Sequence, residues 1–261
     1  MAKVEKERID VLLVESGLVE SRSLAQRLVM AGQVRANGQL IPKPSMQVAK
    51  DVSLEIQHGP QFVSRGGDKL EGAFEVFSLD VSGQVCVDVG ASTGGFTDCL
   101  LQHGAARVYA IDVGKGILHW KIRQDPRVVV MEATNARHVE ELPESVSFVT
   151  VDASFISLKI LLPVIKKWFG EGGGRVLALV KPQFEAGREQ ASKGKGVIKD
   201  PKVHRAVLKE ILGFAETQGL SVLGLERSPL KGPKGNVEFL AYLRSPGKAS
   251  SSLSRIISRV V

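Results

Sequence analysis

The sequence predicts an α/β protein, a doubly wound sheet preceded by a small α+β domain. Three observations carry that prediction. From about residue 65 onward, apolar strand-like runs alternate with helical patterns. One of those runs, QVCVDVGASTGGF at residues 84–96, stops in a glycine-rich turn. A short Gly-Pro stretch, HGPQFV at residues 58–63, sets this region apart from an N-terminal stretch with a different rhythm. At 261 residues the chain has room for one small domain and one medium domain. The expected boundaries are a small domain over 1–58, a linker over 59–64, a large domain over 65–244 and a tail over 245–261.

Residues 8–57 come first. Ile9, Leu12 and Leu13 have helical spacing, and Gly17 ends that helix. Ser21 suits the N-cap of a second helix, with Leu24, Ala25, Leu28 and Val29 on one face. Val34, the Asn37-Gly38 turn and Leu40-Ile41 predict a β-hairpin, and Val52, Leu54 and Ile56 alternate as a further strand. Charge is uneven. Residues 1–20 carry a net −2, whereas residues 21–50 hold five bases (Arg22, Arg27, Arg35, Lys43, Lys50) and no acid. That basic half is an electrostatic footprint for a phosphate backbone, or else a solvated face.

The large domain is organised around the glycine turn. Val85, Val87 and Val89 suit a strand covered on both faces. Asp88 near its end needs a hydrogen-bonding or functional partner. Gly90, Gly94 and Gly95 let the backbone turn and approach a ligand closely, and Phe96, which completes the motif, is expected with them at the cofactor. Thr97 or Asp98 is expected to open the next helix. Ser92 stands where the dinucleotide fingerprint has its second glycine. A ligand with an adenosine but no phosphates fits better, and S-adenosylmethionine is the obvious one. The plain alternative is a tight turn in an α/β core. Asp112 ends the next strand, RVYAID, about 20 residues on, where an acid commonly binds a ribose. Asn135, after the strand VVVM, is a candidate for the adenine edge. Asp152 ends SFVTVD, and Lys181 emerges from the apolar run RVLALV. Asp88, Asp112, Asp152 and Lys181 are expected to share one cleft at the strand ends.

The remaining segments are less specific. Residues 185–199 are glycine- and lysine-rich and read as a mobile loop suited to closing on substrate. Pro201 starts a helix, and two strands close the sheet. Glu238 lies between Val237 and Phe239, facing either the cleft or water. The tail has basic residues and no acid, and its LSRIISRVV end is a short amphipathic helix that docks or binds RNA.

Composition narrows the function classes. The net charge is +7 with a pI near 9.4, which suits an anionic partner. No apolar run approaches the ~20 residues of a membrane span, and the charged start MAKVEKERID has no signal-peptide core. Cys86 and Cys99 are expected to pack as small hydrophobes, as in a reducing cytoplasm. The five histidines show no metal-ligand spacing, so no metal is expected.

Two resemblances sharpen the reading. SRSLAQRLVMAGQVRANGQLIPKPS resembles the small RNA-binding domain named after ribosomal protein S-four, through its Ser-Arg helix start, Gly-x-Val helix end and Asn-Gly turn. That implies recognition of structured RNA by shape and phosphates, with Arg22, Arg27, Arg35 and Lys43 as contacts. SRGGDKL, DVGASTGGFTDCLLQ, VDASFISL, LVKPQFEAGRE and GNVEFL resemble strings of the TlyA (hemolysin A) family, FtsJ-like rRNA 2′-O-methyltransferases with such an N-terminal domain. The resemblance implies a Rossmann-like S-adenosylmethionine-dependent sheet and a Lys-Asp-Lys-Glu tetrad at Lys69, Asp152, Lys181 and Glu238. It implies cofactor contacts at Asp88, Gly90, Ser92, Gly94, Gly95, Asp112 and Asn135, and a cytidine 2′-hydroxyl of ribosomal RNA as target, in ribosomal subunits. A ribose hydroxyl must lose its proton as it attacks a sulfonium methyl, and Lys181 is placed either to accept that proton or to orient the oxygen. The other classes considered are a membrane-lytic protein, a non-catalytic ribosome-binding factor, and a methyltransferase for protein or small molecules.

Overall fold

The computed structural model describes residues 5–57, 59–187, 190, 194–249 and 252–261. The chain divides into two compact units, residues 1–61 and 62–261.

In the first unit β1 (Lys6–Arg8) runs into α1 (Ile9–Glu15), followed by α2 (Arg22–Met30), β2 (Val34–Ala36), β3 (Gln39–Leu40), β4 (Gln47–Ala49) and β5 (Leu54–Ile56). Strands β3, β2 and β5 form a three-stranded antiparallel sheet, and β1 pairs with β4. The expected local signals operate. Ser21 Oγ accepts from Leu24 N, and Asn37 and Gly38 take the positive φ of 50° and 77° that a tight hairpin turn requires. Ile9, Leu13, Ala25, Val29, Val34 and Ile41 form the core. Inside it lies a fully buried carboxylate, Asp10, that accepts from Arg8, Arg22 and Gln26. The Arg8 guanidinium above all holds this carboxyl well below the usual range.

The second unit contains α3 (Gly66–Phe77), β6 (Val85–Val89), α4 (Gly95–Gln102), β7 (Arg107–Ile111), α5 (Trp120–Arg123), β8 (Val128–Met131), β9 (Phe148–Val151), α6 (Leu158–Ile165), β10 (Gly174–Val180), α7 (Pro182–Glu185), α8 (Pro201–Thr217), β11 (Ser221–Arg227), β12 (Phe239–Ser245) and α9 (Leu253–Val260). Its seven-stranded sheet has the order β11-β12-β10-β9-β6-β7-β8. The five strands from β10 to β8 are parallel, and β12 and β11 close one edge antiparallel. Side chains alternate between the faces. Val87, Val89, Val149 and Val151 pack with α6 and α8, while Cys86, Phe148, Leu177 and Leu179 pack with α3 and α4. Chain order reverses between β6 and β9, and at such a switch point the strand ends leave a crevice.

Four expectations change in detail. Helix α4 begins at Gly95, after Gly94 at φ 95°, and not at Thr97 or Asp98. Those two side chains have other work: the Thr97 hydroxyl donates to Asp88 Oδ2 at 2.7 Å, and Asp98 Oδ2 accepts from Val63 N at 2.9 Å. Phe62, read as linker, is buried in the core beside Leu70 and Phe74. The segment after β10 is not loop throughout. Glu185 ends α7, where it accepts from Ser157 Oγ and Leu158 N, and burial pushes its carboxyl up. Residues 194–199 are tied down by Asn236, which accepts from Ile198 N and donates to Gly196 O, and by His204 Nε2 at 2.9 Å from Ile198 O. Residues 188, 189 and 191–193 lie outside the described residues. Finally, the tail helix α9 docks: Ile257 and Val260 are buried against α8 and β11, with Arg255 and Arg259 exposed.

Candidate active site

The carboxyl ends of the parallel strands bring most of the expected residues together. Gly90 follows β6, Asp112 follows β7, Asn135 lies beyond β8, Asp152 follows β9 and Lys181 follows β10. They line two adjoining pockets. The first, of about 600 Å³, is lined by Gly90, Ser92, Asp112, Asn135 and Asp152 with Val89, Ile111, Val113 and Ile117 as its apolar wall. The second, of about 630 Å³, is lined by Lys69, Asp152, Lys181, Gln183, Asn236 and Glu238. Gly90, Ser92, Asp152, Ser154 and Phe155 belong to both, so the pockets meet there.

The first pocket is built from turn backbone. Gly90 has φ 83°, and a Cβ there would meet Asp152 O at 2.9 Å, so only glycine fits. Asp112 accepts from Ser92 N at 2.8 Å and from Gly114 N at 2.7 Å, one on each oxygen. A carboxylate offers about four acceptor directions, so it keeps capacity for two ligand hydroxyls. Asn135 uses its Oδ1 to cap the following turn at Arg137 N, which leaves its amide N–H groups for the pocket. An apolar slot with a carboxylate and an amide at its edge is chemically suited to an adenosine. Glu132 supports this wall. It accepts from Gly116, Ile117 and Leu118 backbone N–H groups and from Arg123, and Arg123 first, then the Gly116 and Leu118 N–H groups, pull its carboxyl down to about 2.

Asp88, Gly94, Gly95 and Phe96 line neither pocket. Asp88 is fully buried under the turn, held by Thr97 and by Thr150 Oγ1 at 3.2 Å, and burial above all pushes its carboxyl up to about 7. A Cβ on Gly95 would lie 2.8 Å from Gly67 N, so this glycine lets α3 and α4 approach closely. Phe96 is core. Of the four residues expected to share one cleft, Asp112 lines the first pocket, Lys181 the second and Asp152 both, while Asp88 lies buried under the turn.

The second pocket is built from charged side chains. Glu238 Oε2 accepts from Lys69 Nζ at 2.8 Å, Lys69 Nζ lies 3.6 Å from Asp152 Oδ2, and Asp152 Oδ1 lies 2.5 Å from Lys181 Nζ. Anion and cation alternate along a chain of four from α3, β9, β10 and the approach to β12. Lys181 Nζ is further fixed by Asp152 O and Ser154 Oγ, both at 3.2 Å. Glu238, left open between cleft and water, faces the cleft and is 1% exposed.

Besides Glu132, three features were not read from the sequence. Gln183 donates from Nε2 to Glu238 Oε1 at 3.3 Å; only its place two residues after Lys181 could have flagged it. Phe155 is 89% exposed with φ 65°, at the meeting of the pockets, its ring 4.8 Å from that of Phe184. An exposed bulky residue in the left-handed region marks strain retained at a site. Away from the cleft, Glu71 Oε2 lies 2.7 Å from His103 Nε2 and 3.5 Å from Cys99 Sγ. Cys99 on α4 and His103 at its C-cap are four apart, a ligand spacing passed over above, and burial pushes the Cys99 thiol up.

In the N-terminal unit Arg22 Nε bonds Asp10 at 2.9 Å, and Arg35 Nη1 donates to Gly38 O, so both partly serve their own fold. Arg27 and Lys43 are exposed.

A doubly wound sheet with an adenosine-sized slot at its switch point, adjoining a charged acceptor pocket, defines a cofactor-dependent transferase. The FtsJ-like methyltransferase family matches residues 62–245, and the S4 domain matches residues 7–52. The protein YqxC of Bacillus subtilis is 49% identical over 251 residues, covering 94% of this chain and 88% of that one. The 16S/23S rRNA (cytidine-2′-O)-methyltransferase TlyA of Mycobacterium tuberculosis is 43% identical over 242 residues, covering 91% and 90%. A solved structure of a hemolysin-named protein from Streptococcus thermophilus superposes with TM-score 0.72 at 44% identity, covering 98% and 96%. The chain belongs to the FtsJ-like methyltransferases, in the group that includes TlyA and hemolysin A, and carries an S4 domain at its N-terminus. It is a methyltransferase, and S-adenosylmethionine is the cofactor of this fold. No helix of the described residues is long and apolar enough to cross a membrane.

Proposed function

We propose that the protein methylates the ribose 2′-hydroxyl of a cytidine in ribosomal RNA, acting on ribosomal subunits in the cytoplasm. The observation that carries this reading is the alternating chain Glu238–Lys69–Asp152–Lys181 in a pocket that meets the adenosine-type slot at Asp152. The names of relatives supply the nucleotide: the Mycobacterium tuberculosis protein acts on cytidine in 16S and 23S rRNA, and one from Campylobacter jejuni on cytidine in 23S rRNA.

Gly90, Ser92, Asp112 and Asn135 would hold S-adenosylmethionine, which when bound would supply an electrophilic methyl on a cationic sulfur. The chain's own groups deal with the acceptor. A ribose hydroxyl in the second pocket is a poor nucleophile until its proton leaves. Lys181 Nζ, aimed by Ser154 Oγ and Asp152 O, orients that oxygen, and the departing proton passes to the Lys181–Asp152 pair beside it. Lys69 bridges both carboxylates, so the four groups carry no net charge and do not repel incoming phosphates. Fixing the oxygen against the neighbouring slot supplies much of the rate by alignment. Arg27 and Lys43, with Arg22 and Arg35, offer the S4 unit's basic surface to RNA phosphates.

The test is methyl transfer from labelled S-adenosylmethionine to purified small and large subunits. The proposal expects label in rRNA that survives alkaline hydrolysis in an uncleaved dinucleotide, because 2′-O-methylation blocks cleavage there. Label confined to mononucleotides, or no label in either subunit, contradicts it.

A further inference from the structure

Glu238 is gripped at both oxygens. Lys69 Nζ donates to Oε2 at 2.8 Å and Gln183 Nε2 to Oε1 at 3.3 Å. Gly232 forms a third wall, since a Cβ there would come within 2.0 Å of Glu238 Oε1. The hold exacts something from Gln183 itself. With its amide N–H turned to Glu238, its Oε1 is buried and has no hydrogen-bond partner among the described residues. A buried orphan acceptor is destabilising. Flipping the amide would set its oxygen against Glu238 Oε1, oxygen to oxygen, and leave Glu238 half-satisfied. The side chain is therefore oriented for Glu238 and not for its own solvation, and it sits in the lining of the acceptor pocket.

We propose that Gln183 is a positioning residue for methyl transfer: by holding Glu238 Oε1 it fixes the carboxylate that anchors Lys69 beside Asp152. Glu238 with one oxygen released can rotate, and Lys69, whose tighter bond is to Glu238, moves with it away from its 3.6 Å approach to Asp152. The charge chain then opens at its middle link, and the Asp152–Lys181 pair loses its neighbouring cation. This inference rests on the ribose-methylating reading and assigns Gln183 a part in that same site.

Two variants test it in the full-length protein on ribosomal subunits. Gln183→Met keeps the volume and removes the orphan oxygen together with the donor. The expected result is a kcat lower by tenfold or more, KM for subunits and for S-adenosylmethionine within twofold, and a melting temperature close to wild type, because loss of the orphan oxygen offsets loss of the donor to Glu238. Gln183→Glu adds a diagnostic pH profile. A protonated carboxyl at that position can donate the same hydrogen bond to Glu238, whereas the ionised one repels it. The ratio of variant to wild-type kcat should therefore climb as pH falls. Gln183→Met with kcat within twofold of wild type overturns the proposal. So does a loss accompanied by a lowered melting temperature and a raised KM, or a Gln183→Glu profile parallel to wild type. Wild-type protein that labels neither subunit overturns the methylation reading itself, which this control reports separately.

Discussion

The two pockets that meet at Asp152 are built by different means. The first is made of turn backbone at successive strand ends, with Gly90 and Asp112 twenty-two residues apart and directly bridged through Ser92. The second is made of four charged side chains drawn from Lys69 to Glu238, 169 residues apart in sequence and 2.8 Å apart in space. A backbone-built slot is specified locally, by glycines and a strand-end acid. A side-chain network is specified only by the completed sheet, and each member depends on the others for its charge balance. Binding should therefore be robust and separable from chemistry, and chemistry should fail as a unit.

The largest break in that comparison is Lys69→Met. It leaves Glu238 buried with Gln183 as its remaining partner. Stability should drop by about 3 kcal/mol, as for other buried pairs that lose one member, and transfer should fall by about 100-fold or more. Denaturant melts and rate assays on subunits read both. Phe155→Ala comes next. An exposed ring at the mouth offers a stacking platform worth roughly 1–3 kcal/mol per base, so KM for the subunit should rise roughly tenfold, and the S-adenosylmethionine KM should move far less although the ring also borders the first pocket. Glu132→Gln, which loosens the 114–118 segment behind the first pocket, should raise the S-adenosylmethionine KM a few-fold and leave kcat alone. Asp88→Asn should be kinetically almost silent, because Asp88 reaches neither pocket. Its effect is on stability against pH. Asp88 rises from 3.8 to about 7 on folding, so the neutral form's advantage is complete below about pH 4 and is lost as pH climbs through 7. Asp88→Asn should flatten that decline, giving a melting temperature above wild type at pH 8 and close to it at pH 4.

What the sequence disclosed follows the same division. The strand, the glycine turn, Asp112 and the hairpin at Asn37-Gly38 were legible because each obeys a short-range rule, φ > 0 or period-two burial. The helix start at Gly95 was misread by two to three residues, since Thr97 and Asp98 look like caps until Asp88 and Val63 claim them. The tetrad was named only through family resemblance; nothing in local pattern distinguishes Lys69 from a solvated helix lysine. Gln183 and Glu132 escaped because their partners are fixed by tertiary packing. Arg22 was legible as a base but not as a ligand of buried Asp10, because burial of a carboxylate in a short helix has no sequence signature.

The most direct test of two separable pockets is the single-turnover rate of methyl transfer to a bound subunit as S-adenosylmethionine is raised, for Asp112→Ala and Lys181→Ala. Asp112→Ala should need roughly tenfold or more cofactor, since a charged hydrogen-bond acceptor is worth about 1.5–3 kcal/mol, and then reach a rate near wild type. Lys181→Ala should half-saturate at the wild-type concentration and plateau about 100-fold lower or further down. A plateau that collapses in Asp112→Ala, or a Lys181→Ala plateau near wild type, would contradict the division of labour between them.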